Sequence, residues 1–284
     1  MRICWYDDHK LGLVKDGRVH DVSLVLKELP APSYPPRVKG DLLIAHLDSL
    51  RPAILKAAER SPGVDVKSVK FLPPVATPTK IIGTPANYAK HHEEAQHFPG
   101  AEKSRYAGPV REQGLFLKAT SALIGGGDTV KLRFPDRRSD HEMELGVVIG
   151  RTASNVSEAD ALKYVAGYAI ALDMVVRGKE DRSFRKSIDT YAVLGPWLTT
   201  ADEVPDPGHL DFSLKVNGEV RQASNTALML VNLPEQIAWA SQWYTLYPGD
   251  IIMTGTCEGV SRVAPGDVMS CWIDGVAEMD VRVG

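Results

Sequence analysis

With 284 residues, 44% hydrophobic and 24% charged, the chain can bury a full core as one large or two unequal domains, which excludes disorder and fibrous repeats. A formal net charge of -3, spread along the chain, leaves no basic stripe for nucleic acid and no polybasic patch for a membrane surface, so a small molecule is the expected partner. The N-terminus MRICWYDDHK has no apolar leader core, no apolar run approaches the ~20 residues of a membrane span, and the 3 cysteines (Cys4, Cys257, Cys271) are odd in number and far apart, so a cytoplasmic protein with reduced thiols is expected.

The first strands alternate as a small β-meander: Ile3 to Tyr6, Leu11 to Val14, an Asp16-Gly17 turn, then Val19 to Val22. A Pro-rich stretch from Pro30 to Pro36 interrupts it. Asp41 is placed to cap a helical run through Leu42, Leu43, Ile44 and Leu47, and Pro52 is placed to start a second run through Ile54 and Leu55. A second cluster, Pro73, Pro74 and Pro78, reads as a linker, which predicts a small N-terminal β-containing domain over 1–74 and a larger one over 75–284.

Beyond that boundary strands dominate. Gly125-Gly126-Gly127 lacks nucleotide-loop spacing and reads as a loop entering a strand at Val130. Leu210, Phe212, Leu214 and Val216 alternate into Asn217-Gly218, a strong two-residue hairpin signal, with Glu219 to Gln222 returning. Asn232 and Glu235 form a capping box for a helix carrying Ile237 and Trp239, and after the Pro248-Gly249-Asp250 turn Ile251 to Thr254 reads as a buried strand. The expected class is α+β, rich in β.

The segment His141-Glu142-Met143-Glu144-Leu145-Gly146-Val147-Val148-Ile149 is apolar enough for a strand, which would point Glu142 and Glu144 the same way. Two carboxylates aimed at one apolar spot repel, and burying either costs several kcal/mol without a cation or proton. Asp173 lies in another apolar run, Val165 to Val176, after a short helix begun near Ser157. Three oxygen donors with open positions suit Mg²⁺ or Mn²⁺ better than Zn²⁺. Spacing alone leaves a second reading open, in which the glutamates sit on a solvated strand face and Asp173 ends a strand.

The segments HEMELGVVIGR, YVAGYAIALDMVVRG, RKSIDTYAVLGPWLTTADE, VNGEVRQASNT and YPGDIIMTGTCEGV, with IIGTPANYAKHHEE and FLKATSALIG upstream, resemble the fumarylacetoacetate hydrolase family in content, order and spacing over roughly residues 80 to 284. The resemblance implies a mixed-β roll or sandwich, a homodimer, and metal binding by Glu142, Glu144 and Asp173. It also implies a small 2-oxo acid substrate whose carbonyl the metal polarises. Lys186 aligns with the family's active-site lysine, and Arg177 with an arginine four positions after the metal Asp. Asn87 to Glu94 resembles the segment in which a His and a Glu three residues later form a general-base dyad. On a helix these two, His91 and Glu94, share a face. Thr254-Gly255-Thr256 fits a family loop whose backbone amides and second Thr, at Gly255 and Thr256, approach the substrate carboxylate.

A zinc-protease reading of His92-Glu93-Glu94-Ala95-Gln96-His97 fails, because its two histidines, five positions apart, turn through ~500° and face different ways. Three positions depart from the family pattern: Cys257 where proline is usual, Val175-Val176 where small polar residues are usual, and Glu180 where several relatives carry a substrate-contacting Gln. Cys257 has no assigned base beside it to make it a nucleophile. The implied activity is hydrolysis of the C–C bond of an acylpyruvate or related β-diketo acid, of fumarylpyruvate or fumarylacetoacetate type, in aromatic-compound breakdown. The alternatives are an oxaloacetate-type 2-oxo-acid decarboxylase, a 2-hydroxyhepta-2,4-diene-1,7-dioate isomerase or hydratase, and a non-catalytic metal- or ligand-binding protein. Retention of Lys186 and the His91/Glu94 pair argues against the last.

Overall fold

The computed structural model describes residues 1–31, 39–96 and 108–284, so most of the Pro30 to Pro36 stretch, and His97, lie outside the described residues. The main sheet has 12 strands. Its path runs Val64–Asp65, Arg18–Asp21, Lys10–Lys15, Arg2–Tyr6, Ala192–Thr200, Val165–Asp173, Met143–Ile149, Ile251–Met253, Ile81–Gly83, Phe116–Lys118. A second sheet of 5 strands orders Glu219–Asn225, Asp211–Val216, Val268–Ile273, Ala277–Val283, Thr129–Val130. Mixed parallel and antiparallel pairing with a few helices makes this an α+β fold.

The N-terminal meander forms as its alternation predicts, with antiparallel pairing of Arg2–Tyr6 to Lys10–Lys15 and of that strand to Arg18–Asp21. It does not stand apart. Arg2 and Ile3 pair with Thr199 and Leu198, and Met1, Ile3, Leu11, Leu43 and Ile54 share one core with Val148, Ala169, Leu194 and Ile251. The Pro73 to Pro78 passage is tied down as well, because the Asp41 carboxylate accepts from the backbone N–H groups of both Ala76 and Thr77. Residues 1–74 therefore share both sheet and core with the larger C-terminal part of the chain.

One helix, Leu42–Ala58, replaces the two expected runs, with Pro52 inside it. Proline removes one backbone donor, yet Leu43, Ile44, Leu47, Leu50, Ile54 and Ala58 all bury along one face, and that continuous stripe outweighs the break. Asp41 caps the helix by accepting from Ile44 N–H at 3.1 Å, worth about 1 kcal/mol. Asn217 and Gly218 take φ 51 and 85, as a type I′ hairpin turn requires, and Asn232 and Glu235 close the expected capping box. The run after the Ser157 cap is a 3-10 helix, Glu158–Tyr164.

Strand parity places the site. In Met143–Ile149 the odd residues Met143, Leu145 and Val147 face one core while Val148 faces the other, under the long helix. In Val165–Asp173 the bulky Ile170 and Leu172 face the first core, and Ala169 and Ala171 the second. Glu142 and Glu144 share the parity of Val148, and Asp173 that of the alanines, so all three carboxylates fall on one face at one end of the sheet.

Candidate metal centre and active site

Register completes the convergence. Met143 pairs with Leu172 and Glu144 with Ala171, while Asp173 N–H donates to the Glu142 carbonyl at 2.8 Å, which sets Glu142 beside Asp173. Glu142, Glu144 and Asp173 are buried, and each offers an oxygen within 4.8 Å of the other two. The solvated-face alternative is thereby excluded.

The charges around them are unequal. Lys186, buried on the short helix Arg182–Lys186, donates to Glu142 Oε2 at 2.5 Å and to Asp173 Oδ2. Arg177 donates through Nε to Asp140 at 2.7 Å and through Nη2 to Glu142 at 3.1 Å. Burial alone would raise the Glu142 carboxyl, but the Lys186 and Arg177 charges hold it far below the usual carboxylate range. Glu144 is different. Among the described residues it has no ion pair; it accepts from Gly255 N–H at 2.6 Å, and burial followed by the Asp173 charge pushes its carboxyl well above the ordinary value. An all-oxygen, buried set containing one uncompensated carboxylate fits a hard divalent cation, which would supply the positive charge Glu144 lacks.

The Gly255 donor exists because a strand stops early. Ile251–Met253 pairs with Gly146 to Val148, and the last backbone bond, Thr254 N–H to Leu145 O, is long at 3.3 Å before side chains take over. The Thr254 hydroxyl donates to Leu145 O at 2.9 Å and the Thr256 hydroxyl to Met143 O at 2.7 Å, freeing the intervening Gly255 N–H to turn to Glu144. Gly255 has φ +96, and a Cβ there would lie 2.5 Å from Asn87 Cβ, so glycine is required. Asn87 is fully buried and holds this loop, with Nδ2 donating to Thr254 O and Val231 O at 2.9 Å each. The Thr256 hydroxyl is thus engaged with backbone and side chain inside the protein.

His91 and Glu94 sit on the helix Ala89–Gln96, with His91 Nδ1 3.0 Å from Glu94 Oε2. Glu94 Oε1 accepts from Gly259 N–H at 3.2 Å, docking the helix on the same loop. His91 is buried, 5% exposed.

Sequence reasoning passed over two residues. Lys118 is buried, donates to Asp173 Oδ1 and to Tyr191 O, and burial pulls its ammonium below its ordinary value against the pull of Asp173. Its signal was an inverted alternation: Phe116 and Lys118 are inward while Leu117 is exposed. Gln222, buried on Glu219–Asn225, carried no local signal, because its partners are remote in sequence. Of the departures, Glu180 is exposed and clasps Arg137 at 2.8 and 3.0 Å, Val175–Val176 is a buried strand paired with Ser139–Asp140, and Cys257 is buried, its thiol pushed up to about 12 by burial and then by Glu258.

The fumarylacetoacetate (FAA) hydrolase C-terminal family matches residues 80–284, the span that contributes every residue of this site. This chain belongs to the fumarylacetoacetate hydrolase family. It is 46% identical over 286 residues to the maleylpyruvate hydrolase of Aquipseudomonas alcaligenes, covering 100% of this chain and 99% of that protein. The maleylpyruvate hydrolase of Sphingobium sp. SYK-6, crystallised in complex with manganese(II) ion and pyruvate, superposes with a TM-score of 0.83 at 40% identity, over 100% of this chain and 98% of that one. A mitochondrial oxaloacetate tautomerase of Rattus norvegicus is 36% identical over 230 residues, which is 76% of this chain and 70% of that protein.

Proposed function

We propose that this protein is a divalent-metal-dependent hydrolase that cleaves the C–C bond of an acylpyruvate of the maleylpyruvate kind, in the breakdown of aromatic compounds. The observation that carries the reading is the buried convergence of Glu142, Glu144 and Asp173. Full-length similarity to maleylpyruvate hydrolases supports the substrate class. In this reading Glu142, Glu144 and Asp173 hold Mg²⁺ or Mn²⁺. Bound there, the cation would polarise the 2-oxo group of the substrate and stabilise the negative charge that develops as the acyl group departs.

The chain's own residues divide the remaining work. His91 donates through Nδ1 to Glu94, which leaves Nε2 as the nitrogen able to take a proton from an attacking water, and the Glu94 carboxylate stabilises the imidazolium that results. Lys186 holds Glu142 and Asp173 in place and sets an ammonium beside the reacting carbonyl, where it can donate to the oxo group or to the departing acyl oxygen. Arg177 fixes Glu142 from the other side and borders the place for the substrate carboxylate, while Gly255 N–H and the Thr256 hydroxyl, engaged with Glu144 and with Met143 and Gln222, serve by holding the ligand loop. The same reading takes the enzyme to be a cytoplasmic homodimer with a small 2-oxo acid as its partner; no described helix is long and apolar enough to cross a membrane.

The test is direct. Maleylpyruvate or fumarylpyruvate incubated with the protein and Mn²⁺ or Mg²⁺ should lose its enol absorbance with stoichiometric formation of pyruvate. Intact acylpyruvate, with turnover of oxaloacetate instead, would replace hydrolysis with tautomerisation or decarboxylation.

A further inference from the structure

Met143 separates the two glutamates, and its backbone N–H and C=O both face away from the Val165–Asp173 strand. The N–H donates to Gln222 Oε1 at 3.0 Å, and the C=O accepts from the Thr256 hydroxyl at 2.7 Å. Gln222 Nε2 donates to Thr256 Oγ1 at 2.7 Å and to Cys257 O at 3.0 Å. The result is a closed ring through Met143, Gln222 and Thr256, buried throughout.

The amide orientation follows from backbone chemistry. Met143 N–H can only donate, so the atom facing it is the oxygen; Cys257 O can only accept, so the atom facing it is the nitrogen. Because Oε1 accepts, His141, whose Nδ1 lies 3.0 Å from it, donates from Nδ1 and accepts at Nε2 from Ser261 Oγ, 2.9 Å away. Every donor and acceptor of the Gln222 amide is used. A side chain so committed specifies one geometry in a low-dielectric interior.

We propose that Gln222 is a positioning residue for the metal site: by closing this ring it fixes Glu142 and Glu144 relative to each other and to Gly255. The inference rests on the reading of Glu142, Glu144 and Asp173 as metal ligands. Gln222 belongs to the second sheet and Met143 to the main sheet, so the ring fastens the ligand-bearing strand end to a separate layer where its own ladder has stopped. Partners one step removed from a ligand typically contribute 10- to 100-fold to metal affinity.

The test is the dissociation constant for Mn²⁺, read by electron paramagnetic resonance of free Mn²⁺ titrated into chelator-treated full-length protein. Q222M keeps the side-chain volume and removes the ring; with far-UV circular dichroism unchanged, binding should weaken about 10- to 100-fold. T256V should weaken it in the same way, T256S should bind like the parent, and the Q222M/T256V double variant should be no weaker than the weaker single, since both break one ring. Parent-like Mn²⁺ affinity in folded Q222M, or fully multiplicative losses in the double variant, overturns the proposal. If Q222M does not fold, T256V against T256S decides it, and parent-like affinity in T256V overturns it. E142Q separates the two levels: unchanged Mn²⁺ binding there removes the metal-site reading itself, whereas lost binding in E142Q with parent-like Q222M removes only the role of Gln222.

Discussion

The backbone N–H of Gly255 points at Glu144 Oε2 from 2.6 Å, where Gly255 adopts φ +96 between two threonines whose hydroxyls donate to Leu145 O and Met143 O. Gly255→Ala meets both a left-handed backbone and the Asn87 side chain. It should lower stability by about 1–3 kcal/mol and weaken Mn²⁺ binding. A urea titration together with a metal titration measures both. A fully stable variant with intact metal affinity would show the loop to be more accommodating than its geometry.

Glu144 is the ligand candidate that makes no ion pair among the described residues, Lys186 being paired with Glu142 and Asp173. Glu144→Gln removes a carboxyl whose ionised form burial, then the Asp173 charge, disfavours, so chelator-treated variant protein should melt no lower than chelator-treated parent. With saturating Mn²⁺ the parent should melt higher, because it gains more from the ion. Calorimetry in EDTA and in MnCl₂ gives the four melting temperatures. A variant less stable in both conditions would mean that Glu144 is held by something other than the ion.

Hydrolysis and the competing reactions make different demands on His91. Decarboxylation needs no attacking water, whereas acyl cleavage does, and a positioned base typically contributes ~10²–10⁴-fold. His91→Ala should lower acylpyruvate kcat by about that range with Mn²⁺ affinity retained, and Glu94→Gln should do less, since only the orienting charge goes. Glu142→Ala, which removes a proposed ligand, should abolish turnover. An unchanged acylpyruvate rate in His91→Ala would assign the water to another base.

Alkaline pH should destabilise the protein through its buried thiols. Burial raises Cys4 and Cys271 strongly and Cys257 to about 12, against about 8.5 for a thiol in the unfolded chain. A raised acid binds its proton more tightly when folded, so its stabilisation is whole below pH ~8.5 and is lost as the pH climbs toward the folded value. Urea midpoints measured from pH 7.5 to 10.5 should fall, and Cys4→Ala and Cys271→Ala should each flatten the fall. A thiol reagent at pH 8 should label none of the three cysteines before unfolding. Rapid labelling of Cys257 would reopen a nucleophilic role for it.

The division near residue 75 remains a proposal about chain organisation, and the shared core argues how it fails as a cut. A chain starting at residue 75 would bare the Ala192–Thr200 edge and strip Met1, Ile3, Leu11, Leu43 and Ile54 from their core. At about 1.5–3 kcal/mol per large buried side chain, the loss is comparable to the whole stability of a typical domain. Such a chain should be insoluble or aggregate by light scattering. A soluble monomer with native-like circular dichroism would instead establish 75–284 as an independent folding unit.

The sequence by itself determined what depends on neighbours along the chain. The meander, the Asn217-Gly218 turn, the Asn232/Glu235 box and the parity of Glu142 and Glu144 all follow from spacings of one to four residues, where backbone geometry acts directly. Pro52 was misjudged at this level because a local breaker was weighed without the apolar stripe that runs through it. Tertiary structure alone decided which distant segments meet. Lys118 reaches Asp173 across 55 residues, and Gln222 and Thr256 reach Met143 across 79 and 113. Burial then decided the charges, since a carboxylate's affinity for its proton depends on which cations lie beside it once water is gone: Lys186 and Arg177 hold Glu142 ionised, while Glu144, two residues away, is left to its neighbours' negative charge.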